Sequence, residues 1–414
     1  MEVCLIETLG ERIRKLRKQQ KLTLEALAGN ELTKGMLSLI ENNKANPSMD
    51  SLSYIAKRLG VEVVELLEEV SMQELRHVVE KAEKLYHTKF HDLTDEYEQL
   101  IKLVEPYVAK LTQGYEAARL LEMYSRSLFR VKKEGWQTHS DKAASIYEEL
   151  NIIPRRVEIG IFRAMVKFTG HDYAGSLKLM LKERSEIEMN HAFIDPMSKI
   201  DLDYHEAILH YAVGDTESAT RVMEIAIDFS KQHRVFYNID SLYRLAAIHA
   251  MMTFDEDKTR FYSKKLELYG EFTEDKEAFF FPSFLKVHYL NSYKHEYGEA
   301  LRFLEPHIKD YEKGNGKDQS SHLCLEKGKA FHGLQRYDEA LVSLEKVVIA
   351  DYVHHPLDLS IFYEADAYIA RCHLKLGNKE EAIRYAEKAL ANISPMPHTP
   401  YKEFIMKTYE LITI

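Results

Sequence analysis

Six basic side chains, Arg12, Arg14, Lys15, Arg17, Lys18 and Lys21, fall within ten consecutive positions of a 414-residue chain. Cations clustered in this way attract phosphates, because each neutralised phosphate releases a condensed counterion. A solvated helix face would carry the same charges, so the run alone leaves both readings open. Other chemistries lack their residues. There is no Gly-rich phosphate loop, no nucleophile elbow and no Cys/His cluster. His87 and His91 are spaced i, i+4, but no Glu stands between them in a His-Glu-x-x-His pattern and no third ligand is evident, so no zinc site is expected. His354-His355, before Pro356, reads as a connection. No catalytic residue, metal or cofactor is expected, and the chain reads as a non-enzyme.

The net charge of −10 would oppose binding to a polyanion if it were evenly spread. Residues 1–70 carry ten Lys/Arg and eleven Asp/Glu, a net of −1, and Glu62, Glu65, Glu68 and Glu69 gather at the far end of that stretch. The basic end is thus free to face phosphates. Cys4, Cys324 and Cys372 are odd in number and far apart, which suits a reducing cytosol better than a disulfide framework. No stretch approaches the roughly eighteen apolar residues of a membrane span, and Met1-Glu2-Val3-Cys4 does not open a signal peptide. A cytoplasmic protein with no membrane partner is expected.

Short helices must position the basic run. Leu9, Ile13, Leu16 and Gln20 form a stripe at helical spacing that ends near Lys21. Thr23 can cap a short helix over 24–28, which Gly29-Asn30 breaks. Thr33 can cap a third, with Met36, Leu37 and Ile40 facing inward and Lys34, Gly35, Ser38 and Asn42 outward. Ser48 opens a fourth helix with Leu52, Ile55, Ala56 and Leu59, Gly60 stops it, and Val63, Leu66 and Leu67 make a fifth. Two short helices joined by a tight turn are what the DNA major groove admits. Residues 71–92 read as a linker helix whose stripe, Leu75, Val78, Val79, Ala82, Leu85 and Tyr86, either packs on the next helices or pairs with a second copy.

The rest repeats. Turn markers precede helices at Asp172, Asp215, Asp255, Glu296, Asp338 and Asn378, with spacings of 43, 40, 41, 42 and 40 residues. A period of this size means stacked helix pairs. Gly328, Phe331, Tyr337, Ala340, Leu344 and Val347 make the clearest unit, and 400–414 reads as a capping helix. The fold class is therefore all-α: a five-helix domain over 1–70, a linker helix over 71–92, and a right-handed repeat superhelix over 93–414. Such an array offers a concave groove suited to an extended peptide, where Asn side chains can pair with peptide N–H and C=O together. Arg126, Tyr204, Asn238, Tyr289 and Asn291, placed on first helices of repeats, are the candidate peptide contacts.

Leu22-Thr23-Leu24-Glu25-Ala26-Leu27-Ala28, Leu37-Ser38-Leu39-Ile40-Glu41-Asn42-Asn43-Lys44, Pro47-Ser48 and Ile55-Ala56-Lys57-Arg58-Leu59-Gly60-Val61 together resemble the Cro/C1-type repressor helix-turn-helix. The resemblance implies that the third helix reads DNA from Thr33, Lys34, Gly35, Ser38, Asn42 and Lys44. Lys34 and Ser38 would meet base edges, while Asn42 and Lys44 would lie against phosphate. It also implies an internal Arg17–Glu41 ion pair and a dimer on two half-sites of a palindromic operator. Leu24 departs from the pattern, standing where that family often has Gln. The repeat unit Gly328 to Val347 resembles the tetratricopeptide pattern. The two halves together resemble the RNPP peptide-pheromone receptors, most closely their neutral-protease regulator (NprR-like) branch. That implies a cytoplasmic quorum-sensing regulator of transcription, a homodimer or tetramer, switched by a short re-imported peptide. Two alternatives stay open: Rap-like binding or dephosphorylation of a response regulator by the repeats, and a ligand-free repressor whose repeats only oligomerise.

Overall fold

Helices in this chain start where a side chain can accept from the N–H groups that a first turn leaves unpaired. Thr23, Thr33 and Ser48 do so for α2 (Leu24–Ala28), α3 (Lys34–Glu41) and α4 (Met49–Leu59), and Thr8 forms a capping box with Glu11 at the head of α1 (Leu9–Gln19). Gly60, with φ of +67°, ends α4 in the left-handed conformation that glycine adopts without a Cβ clash. Ile13, Leu27, Leu37, Ile40, Leu52, Ile55 and Leu59 close one small core between these helices.

The structure, a computed structural model, describes residues 8–63, 66, 72–88, 93–274, 276–312 and 320–413. Cys4, His91, Glu65, Glu68, Glu69 and Leu67 lie outside them, as does most of the expected fifth helix, although Leu66 is buried in the first core. Every regular element among the described residues is helical, and none of those helices is long and apolar enough to cross a membrane.

Two compact units divide the chain, 1–159 and 160–414. In the first, α5 (Met72–Tyr86), α6 (Glu96–Val104), α7 (Tyr115–Arg130) and α8 (Trp136–Glu149) follow the four short helices. Leu75, Val78 and Ala82 of α5 are buried in one core with Leu100, Val104, Leu120 and Tyr147, so its stripe packs on the helices that follow. The division falls within α9 (Ile153–Thr169).

In the second unit come α10 (Tyr173–Asn190), α11 (Pro196–Ala212), α12 (Thr216–His233), α13 (Ile239–Met252), α14 (Glu256–Thr273) and α15 (Lys276–Tyr289), which runs into a π turn over Leu290–Lys294. Then follow α16 (Tyr297–Glu312), α17 (Ser320–Gly333), α18 (Tyr337–Leu344), α19 (Pro356–Lys375), α20 (Lys379–Ile393) and α21 (Pro400–Thr413). The turn markers mark the starts of second helices. Asp172, Asp215 and Asp255 accept from the N–H three residues on at 2.9, 3.1 and 2.9 Å. Glu296 and Asn378 stand just before α16 and α20, and Asp338 lies one residue inside α18.

Small residues let paired helices approach. Ala219, Ala226, Ala300, Ala340, Ala382, Ala386 and Ala389 are all buried, and a Cβ on Gly328 of α17 would overlap the Leu344 side chain of α18. Leu344 is itself buried and cannot swing away. Gly328→Ala is therefore expected to lower unfolding stability by about 1–3 kcal/mol through overpacking, read as a fall in the urea midpoint at unchanged m-value.

Candidate functional site

The outer face of α3 is held in place from behind. Arg17 grips Glu41 with two parallel hydrogen bonds, Nε to Oε1 at 2.6 Å and Nη2 to Oε2 at 2.8 Å, and donates its third arm to the Leu22 carbonyl at 2.8 Å. The hydrogen bond to Glu41 raises the Arg17 pKa. Asn43 ties α3 to α1 by accepting from Gly10 N–H at 3.1 Å and donating to Thr8 Oγ1 at 2.6 Å. A Cβ on Gly10 would overlap the Ile40 carbonyl oxygen, so the two helices touch backbone to backbone there. Arg58 reaches the Ala26 carbonyl and fixes α2 to α4. The expected internal pair between Arg17 and Glu41 is present.

With its base so anchored, α3 exposes Lys34, Gly35 and, just beyond its end, Asn42 and Lys44. Lys34 pairs with Glu25 on α2, and that hydrogen bond holds the Glu25 carboxyl below the usual range. Exposed pairs of this kind are worth little, so phosphate or base can replace Glu25 readily. Gly35 has open space where a side chain would stand, with only Thr33 Oγ1 within contact range of a Cβ at 3.9 Å. A groove surface can therefore approach the backbone closely at that point. Thr33 is occupied as the cap, its Oγ1 accepting from Met36 N–H at 3.1 Å. Asn42 Nδ2 donates to the Ser38 carbonyl at 2.7 Å, and Ser38 itself is half-buried.

Two expectations about this face change. Met36 points outward at 46% exposure, because a helix of eight residues buries one narrow stripe and Leu37, Ile40 and Glu41 fill it. Leu39, at 45% exposure, joins it on the surface. Arg12 leaves the basic face altogether: it is buried and donates to the Leu66 carbonyl at 2.6 Å. The sequence signal for Leu39 was available, since it sits four positions after Gly35 and therefore on the same outward face.

The five repeat candidates fall on different stretches of the chain. Arg126 on α7 bonds the Glu158 carbonyl at 3.1 Å and pairs with Glu122 at 3.1 Å, inside a network where Arg119 holds Glu83 and Glu122 and the Tyr147 hydroxyl donates to Glu122. Tyr204 is on α11, half-buried against its core. Asn238 lies in the turn before α13 rather than on a first helix, with φ of +56°, a conformation Asn tolerates better than most residues. Tyr289 ends α15 and donates to Glu256 at 2.6 Å. Asn291 falls in the π turn, 1% exposed, with Nδ2 shared between the Glu326 carbonyl at 2.9 Å and its carboxylate at 2.8 Å.

Asn291 thereby belongs to a buried polar cluster that the sequence did not flag. His288 meets Glu326 at 2.6 Å and the Tyr401 hydroxyl at 2.9 Å, and Lys329 Nζ donates to Glu364 and Ser292, both at 2.7 Å. Burial pushes the Glu326 carboxyl up, but the Lys329 ammonium and the His288 ring outweigh it and bring it down to about 2. The signal lay in Glu326-Lys327-Gly328-Lys329, where a glycine that admits a neighbouring helix brings adjacent charges inside with it.

These features define a helix-turn-helix domain followed by an array of helical repeats. The family described as helix-turn-helix domain matches residues 10–71, and the tetratricopeptide repeat matches residues 369–392. Over 66 residues the chain is 36% identical to the immunity repressor protein of Bacillus phage phi105, a match that takes 16% of this chain. It spans somewhat less than half of that relative, 46%. Among solved structures it is similar to Bacillus thuringiensis PlcR in complex with the peptide PapR7 and DNA, at 17% identity over 65% of this chain and 96% of that one, with a TM-score of 0.36. The competence regulator ComR of Streptococcus vestibularis, in complex with its cognate signalling peptide XIP, gives 19% identity, coverage of 66% and 95%, and a TM-score of 0.36. The pheromone receptor Rgg2 of Streptococcus dysgalactiae gives 16%, coverage of 67% and 98%, and 0.31.

Proposed function

We propose that this protein is a cytoplasmic regulator of transcription that lays α3 in the major groove of an operator and is switched by a short signalling peptide held by its repeats. The observation that carries the first half is the construction of α3. Its inner side is locked by the Arg17–Glu41 fork and the Gly10 approach, while Lys34, Gly35, Met36, Leu39 and Lys44 stand exposed together. Lys34 and Lys44 supply phosphate or base-edge contacts, and Met36 and Leu39 suit the methyl groups of thymine. A homodimer or tetramer on a palindromic site follows from the two-half-site habit of such domains. The resemblance to the RNPP receptors, and to their neutral-protease regulator branch, supports the second half, with Tyr204, Asn238 and Tyr289 as the peptide contacts to test, Asn291 being buried on Glu326.

The test uses the full chain, a labelled operator selected from random duplexes, and synthetic peptides from small reading frames beside the gene. Fluorescence anisotropy should show sequence-specific binding whose affinity changes at least tenfold with one peptide. Binding that no peptide alters would leave a ligand-free repressor, and no preference among duplexes would sink the reading. Leu39→Gln is expected to shift the preferred base at one position of each half-site, away from thymine and toward adenine, with about 1–3 kcal/mol of altered discrimination. An unchanged selected sequence would remove Leu39 from the residues that meet DNA.

A further inference from the structure

Asn43 stands between Asn42 and Lys44 with a left-handed backbone, at φ of +57°. That conformation closes α3: Asn43 N–H donates to the Ile40 carbonyl at 3.0 Å and Lys44 N–H to the Leu39 carbonyl at 2.8 Å. Glycine adopts it without steric cost, and asparagine tolerates it better than most residues. Glycine would therefore serve if closing the helix were the whole task. The side chain has a second task. Its Oδ1 accepts from Gly10 N–H at 3.1 Å, and its Nδ2 donates to Thr8 Oγ1 at 2.6 Å.

The head of α1 is shaped to receive it. Gly10 N–H is one of the first-turn donors that a helix cannot satisfy from within. A Cβ on Gly10 would overlap Asn43 Oδ1 as well as the Ile40 carbonyl oxygen, so the missing side chain is what admits the carboxamide. Thr8 Oγ1 donates to Glu11 Oε2 at 2.9 Å and accepts from Glu11 N–H at 3.4 Å. Its one proton is thereby spent, and toward Asn43 it can only accept. Aspartate at 43 would take the Gly10 N–H but offer Thr8 no donor, and its charge would add to that of Glu11, whose carboxyl Thr8 already holds below the usual range. Asparagine meets both the backbone and the bonding demand.

We propose that Asn43 is a positioning residue for DNA binding: by clasping the head of α1, it fixes where Asn42 and Lys44 meet phosphate relative to the face of α3 that meets bases. Phosphate contacts set the register of a reading helix in its groove. A matched operator demands one register for all its contacts, whereas on a random duplex the domain can shift to suit itself. Loosening the clasp therefore costs the operator and spares the random duplex. The Arg17–Glu41 fork holds α3 from its inner side and does not involve Asn43, so the helix stays seated without the clasp. This role rests on the DNA-binding reading above, whereas the clasp itself does not.

Asn43→Gly in the full chain keeps the left-handed turn and removes both side-chain bonds. Gly10 amide exchange should quicken about fivefold. The thermal midpoint should stay within about 2 °C, because the easier turn offsets the loss of two bonds at the surface. By fluorescence anisotropy, binding to the operator selected from random duplexes should weaken about tenfold, and binding to a random duplex less than about twofold. Equal weakening on both duplexes would give Asn43 a merely structural role, and operator affinity unchanged by the substitution would free Asn42 and Lys44 from the clasp. Unchanged Gly10 exchange would deny the clasp. Each of these overturns the proposal and leaves the DNA-binding reading standing. If the unmutated chain prefers no duplex, that reading fails and the role of Asn43 falls with it.

Discussion

Lys329→Met is expected to destabilise the repeat unit by about 3–5 kcal/mol, because it removes an ammonium shared by two buried carboxylates and leaves Glu326 only its His288 and Asn291 contacts. Lys329 Nζ lies 2.7 Å from Glu364 and 3.5 Å from Glu326, and the side chain has no exposure. Desolvation works against its charge, yet the two carboxylates outweigh that and raise its pKa above the usual lysine range. Methionine keeps much of the length and removes the charge. Urea unfolding followed by circular dichroism reads the loss directly, and a change under 1 kcal/mol would mean that the carboxylates find other partners. The triple variant Lys329→Met, Glu326→Gln, Glu364→Gln should recover much of the loss, since removing a whole buried network costs far less than breaking it. The acid side follows with a definite sign. Glu326 is held down to about 2 in the fold, against an ordinary value of 4.5. Its contribution is complete above the ordinary value and fades as pH falls from there toward 2.

The second large effect lies at the other end of the chain. Lys34→Ala with Lys44→Ala should weaken operator binding by one to two orders of magnitude near physiological salt, and it should flatten the salt dependence. Every phosphate that is no longer neutralised takes about 0.9 from the slope of log affinity against log salt concentration. Thermal stability should hold, because both side chains are exposed and the pair between Lys34 and Glu25 lies in solvent, where it contributes little to the fold. The two parts of the result discriminate. Weaker binding at an unchanged slope would make the lysines base-edge readers only, and full-strength binding would move the DNA-reading face away from α3.

Much of this protein follows from local patterns in its sequence. Thr23, Thr33 and Ser48 could be read as caps because an N-cap bond spans three residues and needs no partner from elsewhere. The same holds for the Asp markers of the repeats and for Gly60, so the helix-turn-helix and the period near 41 residues were legible. Helical periodicity also placed Ile13, Leu37, Ile40 and Leu52 inside. What periodicity cannot say is how wide a stripe the neighbours will cover. Met36 was therefore expected in the core and stands outside it, while Arg12 was counted with the phosphate face and is buried on the Leu66 carbonyl.

The tertiary structure alone decided the rest, wherever distant residues meet. Nothing local sets Tyr173 beside His354, 181 residues away, or His288 beside Tyr401, 113 residues away. Those contacts depend on the small rotation between successive repeats, summed over four or five of them, and a sequence states the repeat without stating that rotation. For the same reason Asn291, read as a groove residue, is found within a buried charge cluster. The sequence by itself determined which helices form and how they pair. Their accumulated geometry determined which surfaces remain for a ligand.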